Sequence, residues 1–129
     1  MKAHPSPKTP LDYRERLHKQ LFEQAPCNIA IIDRDYNIVD QNRNFGEVFG
    51  EGVGRRCYEV YKKRSRPCEQ CMAVQTFADG QMRVNEEVGI DRNGQTAHYI
   101  VHISPIMDDD GNIPVSYTHL RAHETKANI

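Results

Sequence analysis

Residues 27–40 have the sequence CNIAIIDRDYNIVD, in which two short apolar runs flank the polar turn Arg34-Asp35-Tyr36-Asn37. Both runs are rich in β-branched residues, which favour strands. Two such runs separated by a few turn-forming residues are typical of a β-hairpin. This stretch therefore predicts an antiparallel strand pair.

Helical patterns lie on both sides of this hairpin. Upstream, Tyr13, Leu17 and Leu21 recur every four residues with charged residues between them. This spacing predicts an amphipathic helix over 11–24, whose apolar side must be covered by something. Downstream, residues 42–49 predict a short helix with its first residue, an asparagine, as the N-cap.

The second half of the chain repeats the strand pattern. Residues 82–90 and 98–103 alternate between two faces, and Asp91-Arg92-Asn93-Gly94 between them is a strong hairpin turn. A final strand is expected to open at Ile113, and residues 55–80 predict short helices and loops. Two antiparallel hairpins around a helical middle predict an α+β domain with one sheet and helices on one face.

Composition excludes several classes of function. The chain has 129 residues, a formal net charge of -1 and 38% apolar residues. This charge gives no electrostatic case for binding nucleic acid or an anionic membrane. No apolar run approaches the ~18 residues of a membrane span. Residues 1–10 lack a secretory signal and predict a flexible leader, so a cytoplasmic protein with reduced thiols is expected.

The end of the chain has an unusual sequence. Residues 116–125, SYTHLRAHET, resemble the in-frame translation of a transposase sequencing adapter. Segments added by processing or cloning are set aside before a fold is inferred. Residues 114–129 are therefore expected to be an adapter-derived tail. The alternating Val115, Tyr117 and His119 can nevertheless form a strand, and a strand is expected there.

Several short sequence segments at fixed intervals resemble the PAS sensor family. Leu21-Phe22-Glu23-Gln24-Ala25-Pro26 before Ile29-Ala30-Ile31-Ile32-Asp33 is similar to the opening of that family, and residues 35–42 are similar to its first hairpin. Asp91-Arg92-Asn93-Gly94 and Asp109-Asp110-Gly111-Asn112 resemble its later turns. The resemblance covers about residues 11–113, with residues 25–113 as the PAS domain and its last strand truncated.

The resemblance implies a PAS-like antiparallel sheet of about five strands, in which the last strand lies between the first and the fourth. It implies a signal-input domain of a bacterial signalling protein, such as a two-component system, and not an enzyme. A histidine kinase, a cyclic-dinucleotide enzyme or a transcription activator would follow in the natural chain. A homodimer and a small-molecule ligand are the expected partners, with no nucleic acid and no membrane segment.

The family pocket would be lined by apolar residues under the short helices. The principal candidates for holding a ligand or cofactor are Ile31, Phe45, Phe49, Tyr58, Phe77 and Tyr99. Secondary candidates are Ile29, Val74, Val84 and Val101. Each of these residues is equally suited to a packed core without a ligand, so both interpretations stay open.

Three cysteines form a cluster in the middle of the chain. Cys57, Cys68 and Cys71 follow the spacing C-x10-C-x2-C, which resembles an element of a PAS subgroup. Two thiolates in one turn can bind a soft metal, and Cys27 is the only available fourth sulfur for a zinc or iron–sulfur site. A redox-active dithiol and plain buried cysteines are the alternatives.

Two other cofactors are disfavoured by the sequence. Haem-binding relatives use a histidine on the helix before the third strand, and residues 72–81 contain none. Flavin photosensor relatives have a cysteine after an asparagine, whereas Asn42-Arg43-Asn44-Phe45 has none. The competing functions are therefore a ligand-free dimerisation module and, more weakly, a small redox enzyme built on the C-x-x-C pair.

Overall fold

The computed structural model describes residues 10–122, so most of the leader expected over 1–10 lies outside the described residues, as do residues 123–129. Within the described part, four helices and five strands follow one another. In chain order they are α1 (Pro10–Gln24), β1 (Asn28–Asp33), β2 (Ile38–Gln41), α2 (Arg43–Phe49), α3 (Cys57–Tyr61), α4 (Met72–Asp79), β3 (Arg83–Ile90), β4 (Thr96–Ile106) and β5 (Val115–Ala122).

The five strands form one antiparallel sheet in the order β2-β1-β5-β4-β3. β5 lies in the centre, with Leu120 paired to Asn28 of β1 and to Val101 of β4. The α+β fold and the central position of the last strand are confirmed. The strand expected from residues 115–119 is present and extends to Ala122.

The first hairpin is fixed by one carboxylate. Asp33 Oδ1 accepts hydrogen bonds from the backbone N–H groups of Asp35 and Asn37, each at 2.9 Å. Tyr36 has a φ of 69°, a left-handed conformation that non-glycine residues seldom adopt. These contacts close the turn locally and set the pairing of Ile32 with Ile38.

Asn42 attaches α2 to the sheet. Its Oδ1 accepts from the backbone N–H of Phe45, at 3.0 Å, which is the expected N-cap. The same oxygen accepts from the N–H of Ile29 at 3.0 Å, and its Nδ2 donates to the carbonyl of Cys27 at 3.0 Å. Because the asparagine is buried, these bonds hold α2 over β1 and direct Phe45 into the core.

The core lies between one face of the sheet and α2, α3 and α4. Its largest fully buried apolar side chains are Phe45, Ile32, Ile38, Leu120, Val60 and Val101. α1 lies outside this core. Its apolar residues Tyr13, Leu17 and Leu21 are 51%, 40% and 69% exposed, so the expected cover for this face is not supplied by the described part of the chain.

The faces of β3 are the reverse of what its apolar residues suggest. Val84 is 54% exposed, so the expectation that it lines the pocket was wrong. Gly89 is buried, and a Cβ there would lie 2.9 Å from Tyr99 Cε2. This close approach fixes which side of the strand faces inward. Because side chains alternate, Asn85 and Glu87 share the inward side with Gly89.

Candidate functional site

A cavity of about 270 Å³ lies between the sheet and the segment that contains α3 and α4. Its wall combines three cysteines, three tyrosines, apolar core residues and a charged pair. The lining residues include Cys57, Cys68, Cys71, Tyr36, Tyr58, Tyr61, Lys62, Asn85, Glu87 and Thr118.

The fold brings the three clustered cysteines to this one cavity. Cys57 is the first residue of α3 and is 6% exposed, whereas Cys68 and Cys71 are half-buried in the segment before α4. Gln70 has a φ of 51°, so the chain turns sharply between the last two cysteines. The start of α3 therefore places Cys57 on the cavity wall. The left-handed turn at Gln70 lies between Cys68 and Cys71, which line the same wall.

Cys27 does not join them. It precedes β1, does not line the cavity, and has Tyr117 and Arg121 of β5 as its electrostatic neighbours. Over residues 10–122, no group of three or more histidines, cysteines, aspartates or glutamates is arranged to hold a metal ion. The four thiols thus do not fit a shared four-sulfur site in this arrangement.

Burial controls the chemistry of the thiols. Burial, with Cys71 and Cys68 nearby, raises the pKa of Cys57 to about 12. Burial also raises the pKa of Cys68, against the opposing effect of Lys62 and Arg64. Both groups are consequently protonated at neutral pH. The basic run 62–66 does not activate Cys68, because desolvation outweighs its positive field.

The cavity also has an aromatic wall. The rings of Tyr36 and Tyr58 pack edge to face, with centroids 5.6 Å apart. Tyr61 follows on the same helix as Tyr58, and Lys62 Nζ lies 5.9 Å from the centroid of its ring. Burial raises the pKa of Tyr36 and of Tyr61, so both phenols are protonated at neutral pH.

A charged pair borders the cavity on the side of β3. Lys62 Nζ lies 2.7 Å from Glu87 Oε1 and donates to the carbonyl of Val88 at 3.0 Å. The side chains of Lys62 and Glu87 are only 15% and 22% exposed. The pair connects the end of α3 to the edge strand and neutralises the charge of both groups.

The residues expected to line a ligand pocket are distributed unevenly. Tyr58 lines the cavity. Phe45, Phe49, Phe77 and Tyr99 belong to the packed core but are not part of the cavity wall. Of the secondary candidates, Val101 is also in the core, whereas Ile29 is buried outside the core cluster.

Two apolar candidates point elsewhere. Ile31 is half-buried on the sheet face opposite the core, because its neighbours Ala30 and Ile32 occupy the inward positions. Val74 is 46% exposed on α4.

Conversely, sequence reasoning missed four residues of the cavity wall, which are Tyr36, Tyr61, Asn85 and Glu87. The glycine at position 89 was the available signal for β3, since a strand glycine often marks a close approach.

Thr118 introduces an unusual polar atom. It is inward-facing on β5, is fully buried and lines the cavity. Its Oγ1 has no hydrogen-bond partner within the described residues.

On the opposite sheet face, His119 stacks on His102 with ring centroids 5.4 Å apart. Burial lowers the pKa of His119.

Comparison with known proteins agrees with this architecture. The family profile of the PAS fold matches residues 22–122. None of the curated proteins compared with the chain matches it. None of the helices within residues 10–122 has the length and apolar character required to cross a bilayer.

Solved structures give the same fold. The PAS domain of an HTR-like protein from Haloarcula marismortui has a TM-score of 0.73 at 22% identity, over 88% of this chain and 94% of that one. A PAS domain from Colwellia psychrerythraea has a TM-score of 0.74 at 11% identity, over 85% and 97%.

A longer neighbour has the same fold in one part. The structure described as VqmA bound to DPO has a TM-score of 0.71 at 20% identity over 88% of this chain. The chain spans 60% of that protein and 51% of a second VqmA structure, from Vibrio cholerae. With the family profile covering most of the sequence, the chain belongs to the PAS family and is a sensory, non-catalytic domain.

Proposed function

We propose that this domain receives its signal at the cavity lined by Cys57, Cys68 and Cys71, and that the signal is a change in redox state. The observation that supports this is the convergence of the three thiols on one wall. Oxidation of two thiols by a peroxide forms one S–S bond, and the peroxide takes two electrons and two protons to leave as water and an alcohol or a second water. The new bond would alter the packing of α3 and α4.

A redox titration tests this proposal. The full chain is equilibrated in glutathione buffers of increasing oxidising strength, and the disulfide is mapped by mass spectrometry while amide shifts are recorded by NMR. A disulfide within the cluster, with shift changes in α3, α4 and β3, is expected. The variant Cys27→Ser is the matched control because this cysteine lies outside the cavity. Unchanged spectra across all buffers would overturn the proposal.

A metal or iron–sulfur role for Cys57, Cys68 and Cys71, with Cys27 as fourth ligand, stays a prediction. The separate position of Cys27 and the protonated state of Cys57 weigh against it. Metal analysis of anaerobically purified protein tests it. A stoichiometric metal that is lost in Cys57→Ala would establish the metal role over the disulfide.

The second candidate function is a ligand-free dimerisation module. It is supported by the exposed apolar side chains of α1, among which Leu21 is 69% exposed. A homodimer through this helix is compatible with the sensory role. Sedimentation of the full chain, compared with Leu17→Glu and Leu21→Glu, tests dimerisation. A dimer whose sedimentation does not change when the cysteines are oxidised would favour the dimerisation module over the redox sensor.

The wider context of the domain is also a proposal. We place it in the cytoplasm as the input end of a two-component or related signalling protein, before a kinase, cyclic-dinucleotide enzyme or transcription activator. The expectation of no nucleic-acid partner is not supported. One neighbour is described as a VqmA-ligand-DNA complex, and another is described as an RNA-binding light-oxygen-voltage receptor.

We further propose that residues 114–129 derive from a sequencing adapter. In support, the inward residues Ser116 and Thr118 of the central strand are polar although fully buried, where apolar residues are usual. The family match extends to residue 122, so this segment fills the position of the last strand whatever its origin. Sequencing the source gene past the codon for Pro114 without a transposase library tests this. Recovery of the same codons would overturn it.

A further inference from the structure

The cysteine cluster lies in a strongly basic segment. Residues 55–71, which contain all three clustered cysteines, include six basic and two acidic residues and so carry a net charge of +4, whereas the whole chain carries -1. Within this segment Lys63, Arg64 and Arg66 are exposed, and these three residues are called the loop cations. Positive charge is therefore gathered in the part of the chain that holds the thiols.

The fold keeps this charge at the edge of the cavity. The loop 63–67 connects two lining residues, Lys62 and Cys68, and therefore borders the cavity. The backbone N–H of Arg64 donates to the carbonyl of Tyr58, another lining residue, at 2.9 Å. This hydrogen bond ties the middle of the loop to α3, so the loop cations stay beside the cavity wall.

Cys68 is the thiol on which this charge acts. Burial raises its pKa, and Lys62 and Arg64 oppose that rise, so their positive field reaches the sulfur. Two carboxylates weaken the field. Glu69 follows Cys68 in the chain and is exposed, whereas Glu87 is neutralised by Lys62 at 2.7 Å. The loop cations outnumber these carboxylates, so the region around Cys68 is positive.

A positive region beside a thiol selects among oxidants by their charge. Fixed charges attract reactants of the opposite sign and raise the rate of encounter, and dissolved salt screens this effect. Hydrogen peroxide is uncharged and gains nothing from the field. A disulfide that carries carboxylates is attracted to the loop and meets the half-buried Cys68 at the cavity wall without entering the cavity.

We propose that Cys68 exchanges preferentially with small disulfides that carry carboxylates, the class to which glutathione disulfide belongs, and that the loop cations attract these disulfides. This inference rests on the proposed redox role of the cluster and names the class of oxidant. Half-burial makes Cys68 a better point of attack than Cys57, which is 6% exposed.

The exchange takes place in two steps. The thiolate of Cys68 attacks one sulfur of the reagent, the S–S bond of the reagent breaks, and one half leaves as a thiolate. The thiolate of Cys71 then attacks the sulfur of Cys68 in the mixed disulfide and releases the second half. The two released thiolates take up the two protons that the cysteines lost. The reagent gains two electrons, and the two cysteines form one S–S bond.

The first test uses three disulfides of nearly the same size and different charge. 3,3′-Dithiodipropionate is a dianion, 2,2′-dithiodiethanol is neutral and cystamine is a dication. Each reacts with the reduced full chain at one pH, and mass spectrometry follows the loss of the free Cys68 thiol. Each rate is divided by the rate of the same probe with the amide of N-acetylcysteine, an uncharged reference thiol.

The relative rate at Cys68 should be about three- to thirtyfold higher for the dianion than for the neutral probe, and lowest for cystamine. High salt should bring the three relative rates together. A neutral or cationic probe that reacts as fast as the dianion at low salt would overturn the proposal.

The second test changes the loop cations. The combined variant Lys63→Gln, Arg64→Gln, Arg66→Gln should react with the dianion no faster than with the neutral probe, and the corresponding glutamate variant should react fastest with cystamine. The control Arg43→Gln, whose side chain on α2 is 73% exposed, should keep the preference of the parent. Thermal melts verify that each variant is folded. Equal slowing of all three probes, or an unchanged preference in the glutamate variant, would overturn the proposal.

The site of first attack has its own test. In the double variant Cys57→Ala, Cys71→Ser, the mixed disulfide on Cys68 should persist, because no second thiol of the cluster can displace it. Mass spectrometry of peptides locates the adduct. A mixed disulfide that forms on Cys71 in Cys68→Ser, as fast and with the same charge preference as in the parent, would overturn the assignment of Cys68.

The outcomes separate this inference from the redox proposal. A cluster disulfide that forms at equal relative rates with all three probes would overturn the oxidant class alone. The absence of a cluster disulfide with every probe would overturn both proposals. A charge-selective cluster disulfide without amide shift changes in α3 and α4 would overturn the signalling role and leave the preference for anionic disulfides intact.

Discussion

Lys62 Nζ lies 2.7 Å from Glu87 Oε1 and bridges the end of α3 to the edge strand β3 beside the cavity. The two side chains are 15% and 22% exposed, whereas Arg43 and Glu47 on α2 are 73% and 67% exposed at a distance of 3.8 Å. The Lys62–Glu87 pair is thus partly buried and the Arg43–Glu47 pair is solvated, so the two can be compared directly.

Removing the Lys62 side chain should destabilise the folded domain. Lys62→Met leaves the Glu87 carboxylate without its partner, and we expect the free energy of unfolding to fall by about 1–3 kcal/mol. Arg43→Met in the exposed pair should change it by less than about 0.5 kcal/mol. Urea denaturation of both variants measures the difference. Equal effects of the two substitutions would show that the Lys62–Glu87 pair has no structural role.

Asn42→Ala should be among the most destabilising polar substitutions in the domain. It removes the acceptor for the N–H groups of Ile29 and Phe45, which are each bonded at 3.0 Å. Because the site is buried, we expect a loss of about 2–4 kcal/mol. Asn93→Ala in an exposed turn is the control and should lie within about 0.5 kcal/mol of the parent. Chemical denaturation gives both values, and a small effect at Asn42 would contradict its assigned role.

Thr118→Val should stabilise the protein. The substitution keeps the shape of the side chain and removes a buried hydroxyl that has no partner within residues 10–122. We expect a rise in Tm of about 2–6 °C from roughly 1 kcal/mol. Thr96→Val, at the exposed start of β4, serves as the control. A lower Tm for Thr118→Val would indicate that the hydroxyl is satisfied by a bound water or ligand.

Cys57 should make the fold less stable at alkaline pH. Its pKa rises from the ordinary 9.0 to about 12 on folding, so the folded state retains a proton that the unfolded state loses. The associated stability is complete below pH 9 and falls by about 1.4 kcal/mol per pH unit as pH rises towards 12.

Urea denaturation of the parent and of Cys57→Ala at several pH values measures this effect. The free energy of unfolding of the parent should exceed that of Cys57→Ala most at pH 7. This difference should shrink between pH 9 and 11. The control Cys27→Ala should show a smaller dependence, because Cys27 is less buried. A constant difference between the parent and Cys57→Ala across this range would refute the shifted pKa.

Local sequence determined much of this domain. The hairpin around Asp33, the Asn42 cap and the amphipathic α1 follow from contacts within a few residues, so their patterns were sufficient to predict them. The PAS resemblance then supplied the strand order, which the structure confirms. The cysteine spacing singled out Cys57, Cys68 and Cys71 as a group, but it could not exclude Cys27, because sequence spacing does not give distances across a sheet.

Tertiary packing decided the rest. The apolar residues of β3 suggested an inward face through Val84, but the approach of Tyr99 to Gly89 turns Asn85 and Glu87 inward instead. Ile31 and Ile32 are adjacent in sequence and have identical side chains. Ile32 is a core residue and Ile31 is not, because the helices that cover the core lie on one side of the sheet. The protonation of Cys57 likewise depends on its burial, which desolvates the thiol, and not on the basic residues that follow it in the chain.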